Sequence, residues 1–174
     1  MKTKIFLLSF IILFIAGCEA TKKLTQFNME FNNTIVISST TGVDLPFNIY
    51  TPDIETNAES TFEINDTRKD LVEEIRLTSL TFTLTSPPNA DFNFLKSINI
   101  FISAEGLSEA KVAWKDDIPS DVSHINLEVT GVDLQEYIKK DEFSLRYNIE
   151  TNELLASDHH IDVHSVFFVQ AKIL

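Results

Sequence analysis

Cysteine is all but missing from this 174-residue chain, and Cys18 is the only one. No disulfide can close within it, and no cysteine–zinc cluster can be built, so the folded part must stand on packing. Glycine is nearly as scarce: Gly17, Gly42, Gly106 and Gly131 lie far apart. Phosphate-cradling loops and dinucleotide fingerprints need clustered glycines for close backbone approach, and no such cluster exists. Basic residues are few, 14 against 26 acidic, for a formal charge of −12. That balance disfavours nucleic acid and any electrostatic grip on anionic lipid. No Gly-x-Ser-x-Gly elbow surrounds any serine, and no other local signature of nucleophilic catalysis is present. The sequence therefore nominates no catalytic residue, implies no cofactor and points away from an enzyme.

What the chain does have is period-two alternation. Ile35 and Ile37 alternate with Thr34, Val36 and Ser38, and Leu80, Phe82 and Leu84 with a threonine face of Thr81, Thr83 and Thr85. Ile98-Ile100-Ile102, Ile125-Leu127-Val129 and Phe143-Leu145-Tyr147-Ile149 repeat the pattern, each reading as a half-buried strand. The C-terminal run from His160 becomes apolar on both faces at Val166-Phe167-Phe168-Val169, as a strand in a central or doubly covered position would. Shorter strands are predicted near Phe47–Tyr50, Thr61–Ile64 and Lys111–Trp114, with turns at Thr41-Gly42, Ser86 to Asn89, Glu105-Gly106, Asp116 to Asp121 and Thr151-Asn152. Eight or nine strands with turns between them give an all-β, two-sheet antiparallel sandwich, with an α+β arrangement or a closed barrel as alternatives. Two short helices are predicted, over Thr67 to Ile75 and Thr130 to Ile138, from capping residues and apolar positions four apart. These segments also match each other at an offset of 63 residues, for example Asp70/Asp133, Leu71/Leu134 and Ile75/Ile138. Shared composition explains that match more simply than a duplication.

The opening residues are of another kind. Lys2 and Lys4 precede an apolar run, Ile5 to Ile15, broken only by Ser9, and Ala16 and Gly17 lead directly to Cys18. Eleven apolar residues would span roughly 16 Å as a helix, short of the ~30 Å hydrocarbon core of a bilayer. Small residues at the end of such a run mark a cleavage site. The stretch Ile15-Ala16-Gly17-Cys18 resembles the lipobox of bacterial lipoprotein precursors, with Ile15 where leucine is usual. The resemblance covers about the first twenty residues and implies a diacylglyceryl thioether on Cys18 followed by loss of residues 1–17. Acylation would consume the one thiol and leave none for catalysis. It further implies an envelope protein held to its membrane by lipid, with Glu19 permitting transfer to the outer membrane, facing the periplasm or the cell surface. On this reading residues 18–30 are a polar tether and 31–174 a single domain. Removal of Lys2 and Lys4 lowers the formal charge from −12 to −14.

Candidate sites are sparse. His160, Asp162 and His164 would project from one face of a strand, and imidazole and carboxylate are ligands for zinc, copper or nickel. Their spacing of ~7 Å along a strand is wide for one ion, so a further ligand such as His124 would be required. Asp116, Asp117 and Asp121 form an acidic loop that lacks the glycine and alternation of an EF-hand, and Glu73 and Glu74 fall on a predicted helix face. Eleven of the fourteen phenylalanines lie beyond residue 17, and they either fill a core or line an apolar cavity. Three functions follow in descending order: a non-catalytic, lipid-anchored binding or structural lipoprotein with a protein partner, a carrier or sensor of a small hydrophobic ligand, and a metal-binding protein.

Overall fold

The computed structural model describes residues 26–172. Ten strands form two antiparallel sheets: β1 (Gln26–Ile37), β2 (Phe47–Tyr50), β3 (Ile54–Glu55), β4 (Val72–Ser86), β5 (Leu95–Ser103), β6 (Ala110–Lys115), β7 (His124–Asn126), β8 (Glu128–Val129), β9 (Glu142–Thr151) and β10 (His159–Ala171). The front sheet has the order β1-β10-β4-β7 and the back sheet β2-β9-β5-β6-β8, with β3 also pairing β9. The sandwich predicted from alternation is therefore the fold, and neither sheet closes into a barrel.

Packing between the sheets follows from the alternation. Ile161, Val163, Phe167 and Val169 of β10 and Phe82 of β4 face Ile98, Ile100 and Ile102 of β5 and Phe143, Leu145 and Tyr147 of β9, all of them buried. Phe31, Phe143 and Phe167 form a three-ring cluster bridging the two sheets, with centroids 5.2 to 6.0 Å apart and near-perpendicular planes, the edge-to-face geometry that the ring quadrupole favours. The fully buried Tyr147 packs on Phe82 at 5.9 Å, and its hydroxyl accepts a hydrogen bond from Asn33 Nδ2 at 3.1 Å. The phenol thus has a polar partner inside an otherwise apolar layer.

Four expectations need correcting. Residues 26–30, assigned to the tether, belong to β1, and Met29 is buried; alternation begins at Phe27, masked by the polar residues between. Thr61–Ile64, expected to be a strand, is the second half of helix α1 (Ala58–Ile64), which buries Ala58 and Phe62, four residues apart, and leaves Ile64 exposed. Thr67 to Ile75, expected to be a helix, is a turn leading into β4, so Glu73 and Glu74 lie on a strand. The helical spacing there arises from bulges: the pairing of β4 with β10 skips Glu73, Thr78 and Thr85, and each extra residue shifts the apolar phase by one. Of Thr130 to Ile138, only Gln135–Ile138 is helical, as α2. The segments matched at a 63-residue offset therefore differ in structure, and the strands after them lie in opposite sheets. The doubly apolar stretch at Val166–Val169 occupies a central strand, as expected, with Val166 and Phe168 half-buried on the outer face.

Burial raises the pKa of Tyr147 well above its ordinary value of 10.0. The phenol stays neutral in the folded state while the unfolded chain ionises, so its contribution to stability is complete below pH 10 and lost as pH rises. Urea unfolding should show that Tyr147→Phe costs about 1 kcal/mol at neutral pH and Tyr147→Ala about 3–5 kcal/mol. Above pH 10 the decline of stability in Tyr147→Phe should be shallower than wild type by about one proton, roughly 1.4 kcal/mol per pH unit. Equal slopes would refute the burial argument.

Candidate functional site

The two outer faces differ in chemistry. On the front sheet, antiparallel register sets Thr34, Asp162, Thr83 and His124 in one row across β1, β10, β4 and β7, and Asn32, His164, Thr81 and Asn126 in the next. Thr34 Oγ1 donates to Asp162 Oδ1 at 2.8 Å. His164 Nε2 lies 3.2 Å from Glu30 Oε2, and His124 Nδ1 lies 2.9 Å from Thr83 Oγ1. His160, Asp162 and His164 do share a face, but Asp162 and His164 pair with Thr34 and Glu30 of β1, and β4 separates β10 from His124. Among the described residues no three His, Cys, Asp or Glu side chains converge to hold a metal ion. Pleat spacing along the strand and ~10 Å between alternate strands keep these side chains apart. The adjoining His159 points inward, buried against Phe94 with ring centroids 4.6 Å apart.

Asp158 and the acidic loop have local roles. Asp158 Oδ1 accepts from Ser39 N at 2.8 Å and from Ser39 Oγ at 3.0 Å, and these bonds hold its carboxyl below the usual range. Asp121 and Asn93 exchange two hydrogen bonds, at 2.9 and 3.2 Å, closing one loop on another. Six phenylalanines fill the core: Phe62, Phe82, Phe92, Phe94, Phe143 and Phe167 are fully buried, with Phe92 against Phe94 and Phe143 against Phe167. The cleft beside α1 is open and polar, measuring about 500 Å³ and lined by Glu55, Glu59, Glu63, Asp141 and Glu142 among others.

The back sheet presents a more elaborate surface. Its register aligns Tyr50, Arg146, Phe101 and Lys111 in one row and Asn48, Asn148, Asn99 and Trp114 in the next. The guanidinium of Arg146 lies over the Phe101 ring, 4.1 Å from its centroid, and Lys111 Nζ lies 5.2 Å from that of Trp114. Arg146 donates from Nε and Nη2 to both carboxylate oxygens of Glu109, at 2.8 and 2.6 Å, and from Nη1 to Asn48 Oδ1 at 2.9 Å. Asn48 Oδ1 also accepts from Asn148 Nδ2 at 2.9 Å. The fork-to-fork pair fixes the guanidinium plane, the ring below supports it, and the amides lock its remaining edge. Glu109 comes from the loop joining β5 to β6, where Gly106 takes a positive φ of 75° in the turn closed by Leu107 N to Ala104 O, a conformation that favours glycine. Tyr50 stands beside this network with two-thirds of its surface exposed (67%).

Arginine, tyrosine and tryptophan are the residue types that carry binding energy at interfaces, and here Arg146 is held in place by its partners. Sequence reading recognised β9 but passed over this face. Its polar positions were legible as an alternation, whereas the register that sets Tyr50, Arg146 and Phe101 side by side is a property of topology.

No family model matches the chain, and no curated protein matches it. Solved structures similar in shape include a cyanophage Pam1 capsid asymmetric unit (8% identity, TM-score 0.40, covering 83% of this chain and 86% of that one). FLHE is another (6%, TM-score 0.36, 84% and 98%), as is the decameric BFDV capsid protein (8%, TM-score 0.42, 85% and 98%). Likeness at this level carries no argument about function.

The hydrogen bonds from Arg146, followed by its charge, lower the pKa of Glu109 from 4.5. A carboxyl depressed in the folded state stabilises above its unfolded pKa and loses that contribution as pH falls through the folded value. NMR titration should therefore place the Glu109 midpoint below 4.5 in wild type and return it toward 4.5 in Arg146→Gln. An unchanged midpoint would show that the fork does not persist in solution.

Proposed function

We propose that this chain is a lipid-anchored lipoprotein of the bacterial envelope whose β-sandwich has a non-catalytic binding role. The observation that carries this reading is the placement of the one thiol, Cys18, directly after the apolar run and the small residues Ala16 and Gly17. Seven residues, 19–25, separate it from the first strand. Fully extended they would reach at most about 25 Å, so an acylated Cys18 would hold the sandwich within roughly one domain diameter of the headgroups. No helix among the described residues is long and apolar enough to cross a membrane. Two or more acyl chains provide stable attachment where one is marginal, and the acidic domain needs no electrostatic attraction to the bilayer. On this reading the protein belongs to the outer membrane, facing the periplasm or the cell surface.

The back-sheet face around Tyr50, Arg146 and Trp114 is the surface we assign to a protein partner. Its support is the Arg146–Glu109–Asn48 network, which fixes a stacked guanidinium on the outer face of the sheet.

Intact-mass analysis of the native protein should find a diacylglyceryl thioether on Cys18 and no residues 1–17. Cys18→Ala should remain an unlipidated precursor and move from the detergent phase to the aqueous phase on partitioning. A free thiol in the native protein would overturn the anchor. A photo-crosslinking side chain at Tyr50 should give a discrete adduct in cells, and one at Thr83 on the front face should not. The reverse result would move the binding surface to the front sheet.

A further inference from the structure

Sheet edges present unpaired backbone N–H and C=O groups, and natural edges are kept short, charged, proline-bearing or bulged to prevent pairing with another chain. Three of the outer strands here follow that rule by length: β7 has three residues, β8 two and β2 four. The front sheet's other edge, β1, does not. It runs for twelve residues, QFNMEFNNTIVI, with no proline or lysine and one charged side chain, Glu30. Its register with β10 proceeds from Gln26 to Ile37 without a shift, whereas that between β10 and β4 is interrupted three times. Along the side facing away from β10, β1 pairs with no described strand. Phe27 and Phe31 face the core from β1 yet stay half-exposed, while Phe167 and Val169, in β10 beside them, are buried. Val36 on the outer face is 40% exposed. A strand laid along this edge would satisfy the backbone and cover those side chains.

We infer that the occupant is a second copy of this chain, joined by antiparallel β1–β1′ pairing about a two-fold axis near Asn32. An antiparallel edge is complementary to itself under such an axis, and the pairing consumes the edge, so assembly stops at two. With Asn32 opposite Asn32′, every outward residue meets an outward one and every inward residue an inward one. Glu30 falls opposite Thr34′, Met29 opposite Ile35′ and Phe27 opposite Ile37′. Glu30 and Glu30′ then sit roughly 13 Å apart along the strands, so the only charge on the edge does not oppose its own copy. For a chain of formal charge −12, a twelve-residue edge with one charged side chain lets two copies approach with little local repulsion. The result is one eight-stranded front sheet spanning both copies. This inference does not require the lipid anchor.

The full-length protein, solubilised in detergent, should sediment as a dimer, and Asn32→Lys should sediment as a monomer with unchanged circular dichroism, since Asn32 is exposed. Under mild oxidation Asn32→Cys should form a disulfide-linked dimer, whereas Val36→Cys should not, because residue 36 lies opposite residue 28′. Wild type is the control for any link through Cys18. A monomeric wild type, equal cross-linking at 32 and 36, or a ladder of larger species would each overturn the proposal. So would a dimer that survives Asn32→Lys.

Discussion

Everything in this molecule depends on the contact between the two sheets, made almost entirely by phenylalanine, isoleucine, leucine and valine. No disulfide can reinforce it, because the chain has a single cysteine. The Phe31–Phe143–Phe167 cluster and the Phe82–Tyr147 pair bring the sheets into register with each other. Each aromatic ring removed from water contributes on the order of 2–3 kcal/mol before the entropy of ordering is subtracted, so a few rings decide whether the sandwich holds. Asn33, reaching in from β1 to the Tyr147 hydroxyl, is a polar link through this layer, and it ties the long edge strand to β9 of the opposite sheet.

Because the inner faces are committed to packing, function has only the outer faces and the edges to use. On the front face hydroxyls pair with carboxylate and imidazole across strands, Thr34 with Asp162 and Thr83 with His124. The back face spends its polar groups differently: they converge on Arg146, which is stacked, forked and capped by an amide. A guanidinium so constrained loses little further entropy when something docks against it. That difference, rather than any cavity, distinguishes a surface suited to a partner from one that merely meets solvent.

The fold was largely legible from the sequence because a half-buried strand writes its burial into every second residue. β5, β9 and the body of β4 follow that rule closely. It fails where the backbone adds a residue: the skipped Glu73 sets the buried Val72 and Ile75 three apart and helps to imitate a helix over Thr67 to Ile75. It fails again in α1, where Phe62 and Ile64 alternate but only Phe62 is buried. The histidine row was legible only in part. His160, Asp162 and His164 do share a face, yet nothing in their spacing reveals that Asp162 pairs with Thr34 and His164 with Glu30, more than a hundred positions away. Arg146 and Glu109 were equally hidden, being 37 residues apart and joined only by the β5–β6 turn and the β5–β9 pairing.

Geometry finally relates the edge to the proposed anchor. β1 starts at Gln26, with seven residues between it and Cys18, so an acylated cysteine would confine this strand to a thin layer above the membrane. Confinement on so short a leash converts a weak edge-to-edge contact between freely diffusing copies into one favoured by local concentration, without any new interaction. The same layer would leave the back sheet, with Tyr50 and Arg146, on the opposite side of the core from the paired strands. A dimer built through β1 would then carry two copies of that face on one continuous scaffold, and binding through both would gain from the shared anchor more than from any improvement in either face.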